Sequence, residues 1–179
     1  GDEGVDRQGA GPGRWQAAER GGQGGASVLV SHSIEIEIVD DHPSVLGFPT
    51  DELRRLAAFA VQSEPNGADL ASLAVLLTSD ARMRELHRDF MGLDTETDVM
   101  TFPSELEPGM EGRGGDIVIS VDRASENGRD IGASPFDEVC FLAVHGVLHL
   151  CGWDDHDSEA RARMLTRQTE IIRAFRSGR

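Results

Sequence analysis

Ser134-Pro-Phe-Asp-Glu-Val-Cys-Phe-Leu-Ala-Val-His-Gly-Val-Leu-His-Leu-Cys-Gly152, followed at once by Trp-Asp-Asp155-His156, is the stretch on which the reading of this 179-residue chain turns. Ser134 is a good N-cap, and Pro135 suits the first helical position, where no amide partner is needed. The residues between are mostly apolar all round, which marks a buried helix rather than a surface one. The spacing predicts a helix from Pro135 to Cys151 that stops at Gly152, a residue suited to the left-handed conformation past a helix end.

Two polar side chains interrupt that apolar helix. His145 and His149 are four apart, so they lie on one face, one turn from each other. Imidazoles so placed can converge on a single Zn2+ at about 2.0–2.1 Å each. The bend at Gly152 brings the chain back, and the residue six beyond His149 is Asp155, with His156 beside it. The layout H-x-x-x-H-x-x-G-x-x-ligand is that of metzincin-like zinc sites. Asp155 is the third ligand by spacing, and His156 is the alternative if the loop shifts by one residue. Three protein ligands leave one position for water, and the zinc-bound water is then the catalytic group. A pair of packed core histidines is the plain competing reading. The Gly stop and the Asp-Asp-His-Asp run tip the balance toward a metal. Position 146 is Gly, so the Glu that serves as base in H-E-x-x-H peptidases is missing. No protein base is assigned, and a peptidase is disfavoured.

The rest of the chain supplies a mixed framework. Ser33-Ile-Glu-Ile-Glu-Ile-Val39 alternates as a half-buried strand does. Thr50 is read as the N-cap of a helix to about Gln62, Pro65-Asn-Gly67 as a turn, and Leu70 to Thr78 as a central strand. Ser79 caps a helix that ends near Gly92. Asp98 to Phe102 is a short strand stopped by Pro103, and residues 104–114 form a loop. Asp116 to Ser120 is a strand, followed by a helix to about Gly132. Asp157-Ser158 opens a last helix to about Phe175. The class is α+β, a small mixed β-sheet packed with helices and a zinc site on a C-terminal helix. Residues 1–30 are Gly-rich without apolar period and are expected to be a disordered tail; residues 31–179 are expected to form one domain.

Composition limits the function. The net charge is -15 and all 17 basic residues are Arg, which argues against a chain that coats nucleic acid non-specifically. There is no run of about 18 apolar residues, so no membrane span is expected. Cys140 and Cys151 are too few for a disulfide framework; they fit buried thiols in a reducing, cytoplasmic compartment.

Three blocks together resemble the YbeY family, bacterial endoribonucleases and rRNA maturation factors. His145-Gly-Val-Leu-His-Leu-Cys-Gly-Trp-Asp-Asp155 is similar to the family's H-G-x-L-H-L-x-G-[YFW]-x-H. Thr97-Asp-Val-Met-Thr-Phe-Pro103 is similar to T-[DN]-V-L-S-F-P, and Gly115-Asp-Ile-Val-Ile-Ser120 to G-D-I-x-I-S. The resemblance covers about residues 33–176. It implies an αβα-type fold with one Zn2+ per chain in a cleft, rRNA and the small ribosomal subunit as partners, and single-strand-specific cleavage in 16S rRNA 3′-end maturation and ribosome quality control. Two departures stand out. Asp155 occupies the usual third-His position, which lowers the site's charge by one unit. Met91 stands where the family's N-x-x-[YF]-R has Arg. Arg88 is near but about 60° round the helix from Met91. Asp98 and Thr101 are cleft candidates, and Asp116 is a candidate to sit behind a ligating His. His87 reads as a solvated helix residue, as do the arginines at 161, 163, 167, 173 and 176. A non-catalytic, metal-stabilised ribosome-assembly factor is the competing function.

Overall fold

A computed structural model describes residues 34–44, 47–106 and 111–178. The expected tail, residues 1–30, lies outside the described residues. Among them the order is β1 (Glu35–Asp40), α1 (Thr50–Gln62), a 3-10 turn (Pro65–Asp69), β2 (Leu70–Thr78), α2 (Asp80–Met91), β3 (Val99–Ser104), β4 (Arg113–Ser120), α3 (Val121–Ile131), α4 (Pro135–Leu150) and α5 (Ser158–Ser177). The sheet runs β1-β2-β4-β3. β2 pairs in parallel with β1 and β4, and β3 pairs antiparallel with β4. The α+β class holds.

Helices cover both faces. Ile117 and Ile119 of β4 join the main core with α1 and α4, whereas Val118 joins a smaller cluster with Met83 and Leu86 of α2. The intervening face of each strand follows from the period of two. α4 carries ten buried residues and lies deepest. Its approach to β4 depends on Gly146: a Cβ there would stand 2.8 Å from Ile117 Cδ1 and 2.9 Å from Cγ2. A peptidase-type Glu at this position would therefore clash with β4.

Several boundaries differ from expectation. The cap of α1 is Pro49, not Thr50; Thr50 lies inside the helix and no side chain caps the end. Pro103 does not stop β3 but lies within it. β3 is an edge strand, where a missing amide leaves no ladder bond broken. β4 begins at Arg113 rather than Asp116, because Gly114 and Gly115 continue the pairing on both sides. α5 runs on to Ser177. Ser79, Ser134 and Asp157 cap their helices as expected, each accepting from an amide three residues on.

Candidate metal centre

The site begins with the way α4 is held at its two ends. At the start, Ser134 and Asp137 form a capping box, each side chain bonding the other's backbone amide. At the far end, the Gly152 amide donates to the His149 carbonyl at 2.9 Å and the Trp153 amide to the Leu148 carbonyl at 3.0 Å. Gly152 takes φ +93°, a conformation that a side chain opposes. The last helical carbonyls are also satisfied from outside. Arg113 donates to the Leu150 carbonyl at 2.9 Å, and the Asn66 amide donates to the Cys151 carbonyl at 3.1 Å. The turn thus fixed carries Asp155 back over the last turn of α4.

His145 and His149 face the same point. Their Nε2 atoms are 3.0 Å apart and their rings are steeply inclined, at 82°. Asp155 completes the group: Oδ1 lies 3.8 Å from His149 Nε2, and Oδ2 lies 3.8 Å from His145 Nε2. Ligands about 2.05 Å from a tetrahedral ion stand about 3.3 Å from one another, by the usual zinc bond lengths. The donor spacings bracket that value. The three residues are half-buried and can offer one atom each to a single ion.

Hydrogen bonds decide what those nitrogens carry. His149 Nδ1 lies 3.1 Å from the Trp153 carbonyl, which can only accept, so Nδ1 holds the proton. His145 Nδ1 lies 3.2 Å from Gln168 Oε1. Gln168 is fully buried and spends its amide N–H on the Phe141 carbonyl at 2.8 Å, so its oxygen is the end turned to His145. Both Nε2 atoms are then bare lone pairs aimed at each other. Two such lone pairs at 3.0 Å repel unless a cation lies between or beside them. The residues present fit a divalent ion for this reason. Burial, reinforced by the neighbouring His149, lowers the His145 pKa below the ordinary imidazole value, against the opposing pull of Gln168, Asp155 and Asp98. The neutral form favoured by burial is the one that binds metal.

The other expected site residues divide. Asp155 rather than His156 joins the pair: the His156 ring is exposed and bonded to Asp154 at 2.8 Å. Asp98 is half-buried at the mouth of β3, accepts from Asn127 at 3.4 Å, and its charge reaches both His145 and the buried Glu138. Thr101 is paired with Ile117 and so lies on the α4 side of the sheet. Asp116 does not stand behind a ligating His. It has the parity of Val118 and is on the α2 side, away from α4. Arg88 is exposed on α2, 3.6 Å from Asp89, in the layer on that same far side. Met91 is exposed as well. His87 meets the Thr95 carbonyl at 2.7 Å, outside the cluster. The partners that orient the two imidazoles, Gln168 and the Trp153 carbonyl, were not among the expected residues. One signal pointed to Gln168: it is the polar member of the buried α5 stripe Ala160, Met164, Gln168, Ile171.

Fold and site together define a small α+β domain with a two-histidine, one-carboxylate donor cluster at the end of its core helix. A family model described as "Endoribonuclease YbeY" matches residues 38–176. The chain is 36% identical to the Endoribonuclease YbeY of Bacillus velezensis, over 78% of this chain and 94% of the relative. It is 37% identical to that of Bacillus mycoides, over 82% and 99%, and 34% identical to that of Geobacillus thermodenitrificans, over 80% and 97%. The solution structure of TM1509 from Thermotoga maritima is similar with a TM-score of 0.51 at 26% identity, covering 80% of this chain and 93% of that one. The chain belongs to the YbeY family.

Proposed function

We propose that this protein is a cytoplasmic, zinc-dependent, single-strand-specific endoribonuclease that matures the 3′ end of 16S rRNA and serves ribosome quality control. The relatives' name supports an RNA-cleaving activity. The observation that carries the metal dependence is the opposed pair of Nε2 lone pairs with the Asp155 carboxylate beside them. His145, His149 and Asp155 hold the ion. When bound, zinc supplies Lewis acidity toward water and a phosphoryl oxygen. Gln168 and the Trp153 carbonyl keep the Nδ1 protons in place, so the donating nitrogens stay available. Asp98 adds negative potential that holds a cation. No single helix among the described residues is long and apolar enough to cross a membrane.

The placement of Arg88 across the sheet, and the exposed Met91, favour a second reading: a ribosome-assembly factor that keeps its metal for folding. One experiment separates the two. Purified wild type and His149→Ala are assayed for bound metal, for cleavage of a 16S precursor and for small-subunit binding. The enzyme reading expects one zinc and cleavage in wild type only. Metal without cleavage, with small-subunit binding retained, supports the assembly factor. No metal in wild type refutes both.

A further inference from the structure

Glu64 is a buried carboxylate outside the donor cluster, just past the end of α1, and is 7% exposed. Its two oxygens are both engaged. Oε2 accepts from Trp153 Nε1 at 2.8 Å, and Oε1 accepts from Arg167 Nε at 2.7 Å. The partners lie 89 and 103 residues away in sequence. Arg167 also donates to the Ser63 carbonyl at 2.8 Å, so its guanidinium grips both sides of the Ser63–Glu64 junction.

One partner is itself a residue that orients a histidine, and the other is the sequence neighbour of such a residue. Trp153 supplies, through its own backbone carbonyl, the acceptor for His149 Nδ1. Arg167 precedes Gln168 on α5, and Gln168 is the acceptor for His145 Nδ1. Arg113 and Asn66 hold the carbonyls of Leu150 and Cys151, at the end of α4 itself. The Glu64 bond reaches beyond Gly152, into the turn that delivers Asp155.

We infer that Glu64 is a positioning residue for the metal site: its carboxylate fixes, through Trp153 and Arg167, both groups that hold the Nδ1 protons of the ligating histidines. The inference rests on the metal reading proposed above. Chemistry explains why a carboxylate is needed. One atom group must accept from an indole N–H and a guanidinium at once, and a charged acceptor binds both more strongly than a neutral one. The Arg167 pKa is raised, with the Glu64 hydrogen bond the leading cause. A residue that merely stapled α1 to α5 would stabilise the fold and leave the ion's affinity alone. A positioning residue changes the affinity of molecules that are already folded.

The test uses Glu64→Gln and Trp153→Phe in the full chain. The second keeps an aromatic ring and the backbone carbonyl while removing the indole N–H together with part of a side chain packed on the core. Zn2+ affinity is measured by competition with a chelating indicator, Co2+ absorption reports ligand geometry, and melting is followed in chelator. Each variant is expected to bind Zn2+ about threefold to tenfold more weakly, less than the about 10–100-fold of losing an Nδ1 acceptor outright. The Co2+ band should shift, and the double variant should bind no worse than the weaker single. Lower melting temperatures with dissociation constants within about twofold of wild type overturn the inference and leave the metal reading standing, since the outer-sphere effect is larger than that. If Glu64→Gln does not fold, Trp153→Phe decides alone. A wild type that binds no stoichiometric Zn2+ overturns both.

Discussion

Replacing Gln168 by Leu and by Glu separates metal affinity from stability in opposite directions. Gln168 has no exposure and two polar duties: its oxygen accepts a hydrogen bond from His145 Nδ1–H and its N–H donates to the Phe141 carbonyl. Leu has a comparable volume, so little cavity opens. It leaves His145 Nδ1–H without an acceptor, at about 1–3 kcal/mol for an unsatisfied buried donor. The ring can evade that cost by moving its proton to Nε2, but Nε2 is the donor the ion needs. The apo protein also loses the Gln168 N–H on the Phe141 carbonyl and is destabilised by about 1–3 kcal/mol. Zn2+ binding weakens about 10–100-fold, or about 1.4–2.7 kcal/mol. Glu reverses the balance. Its carboxylate accepts from Nδ1–H more strongly and preserves affinity. It has no N–H for Phe141 and sets a buried charge against that carbonyl, so stability falls by several kcal/mol, about the cost of an uncompensated buried charge. The assays are indicator competition for Zn2+ and urea unfolding in chelator. Zn2+ binding by Gln168→Leu within about twofold of wild type refutes the role given to Gln168, because it falls short of the outer-sphere effect.

Two further outcomes are expected. Gly146→Ala places a methyl 2.8–3.0 Å from three atoms of the fully buried Ile117. Overpacking of about 1–3 kcal/mol outweighs a helix-propensity gain of about 1 kcal/mol or less, so the urea midpoint falls; an unchanged or raised midpoint contradicts the close packing of α4 on β4. Asp137 has its pKa held below the ordinary value by the Ser134 hydroxyl first, with the Ser134 amide and Arg176 adding to it against burial. A lowered folded pKa gives stability that is present above the unfolded value of about 3.9 and is lost as pH falls through the folded pKa. The stability gap between wild type and Asp137→Asn is therefore expected at neutral pH and should close in acid; a gap independent of pH rules this out.

The donor cluster was legible because its signals are local. Ser134-Pro135 and Gly152 punctuate α4, and an i, i+4 pair followed by a glycine bend places Asp155 without tertiary knowledge. The side of Asp116 was not legible. Ile117, Val118 and Ile119 are all buried, so β4 shows no alternation to tell one face from the other. Nor could sequence show that β3 is an edge strand, the condition that admits Pro103. Thr50 looked like a cap by residue type, yet the chain enters α1 one residue earlier. Glu64 and Gln168 were missed for a common reason. Their partners come from other elements, 23 to 103 residues away, and only packing joins them.

Pro103 also bears on how copies of this chain meet in concentrated solution. An open sheet flank is a template on which another chain can add a strand, and repeated addition builds fibrils. On the β3 flank the proline ring withholds a donor from any incoming strand. On the β1 flank, Glu35, Glu37 and Asp40 are exposed, so a second copy laid alongside would bring carboxylates against carboxylates. Both open margins of the described sheet thus resist templated growth, one by a missing hydrogen and the other by like charge.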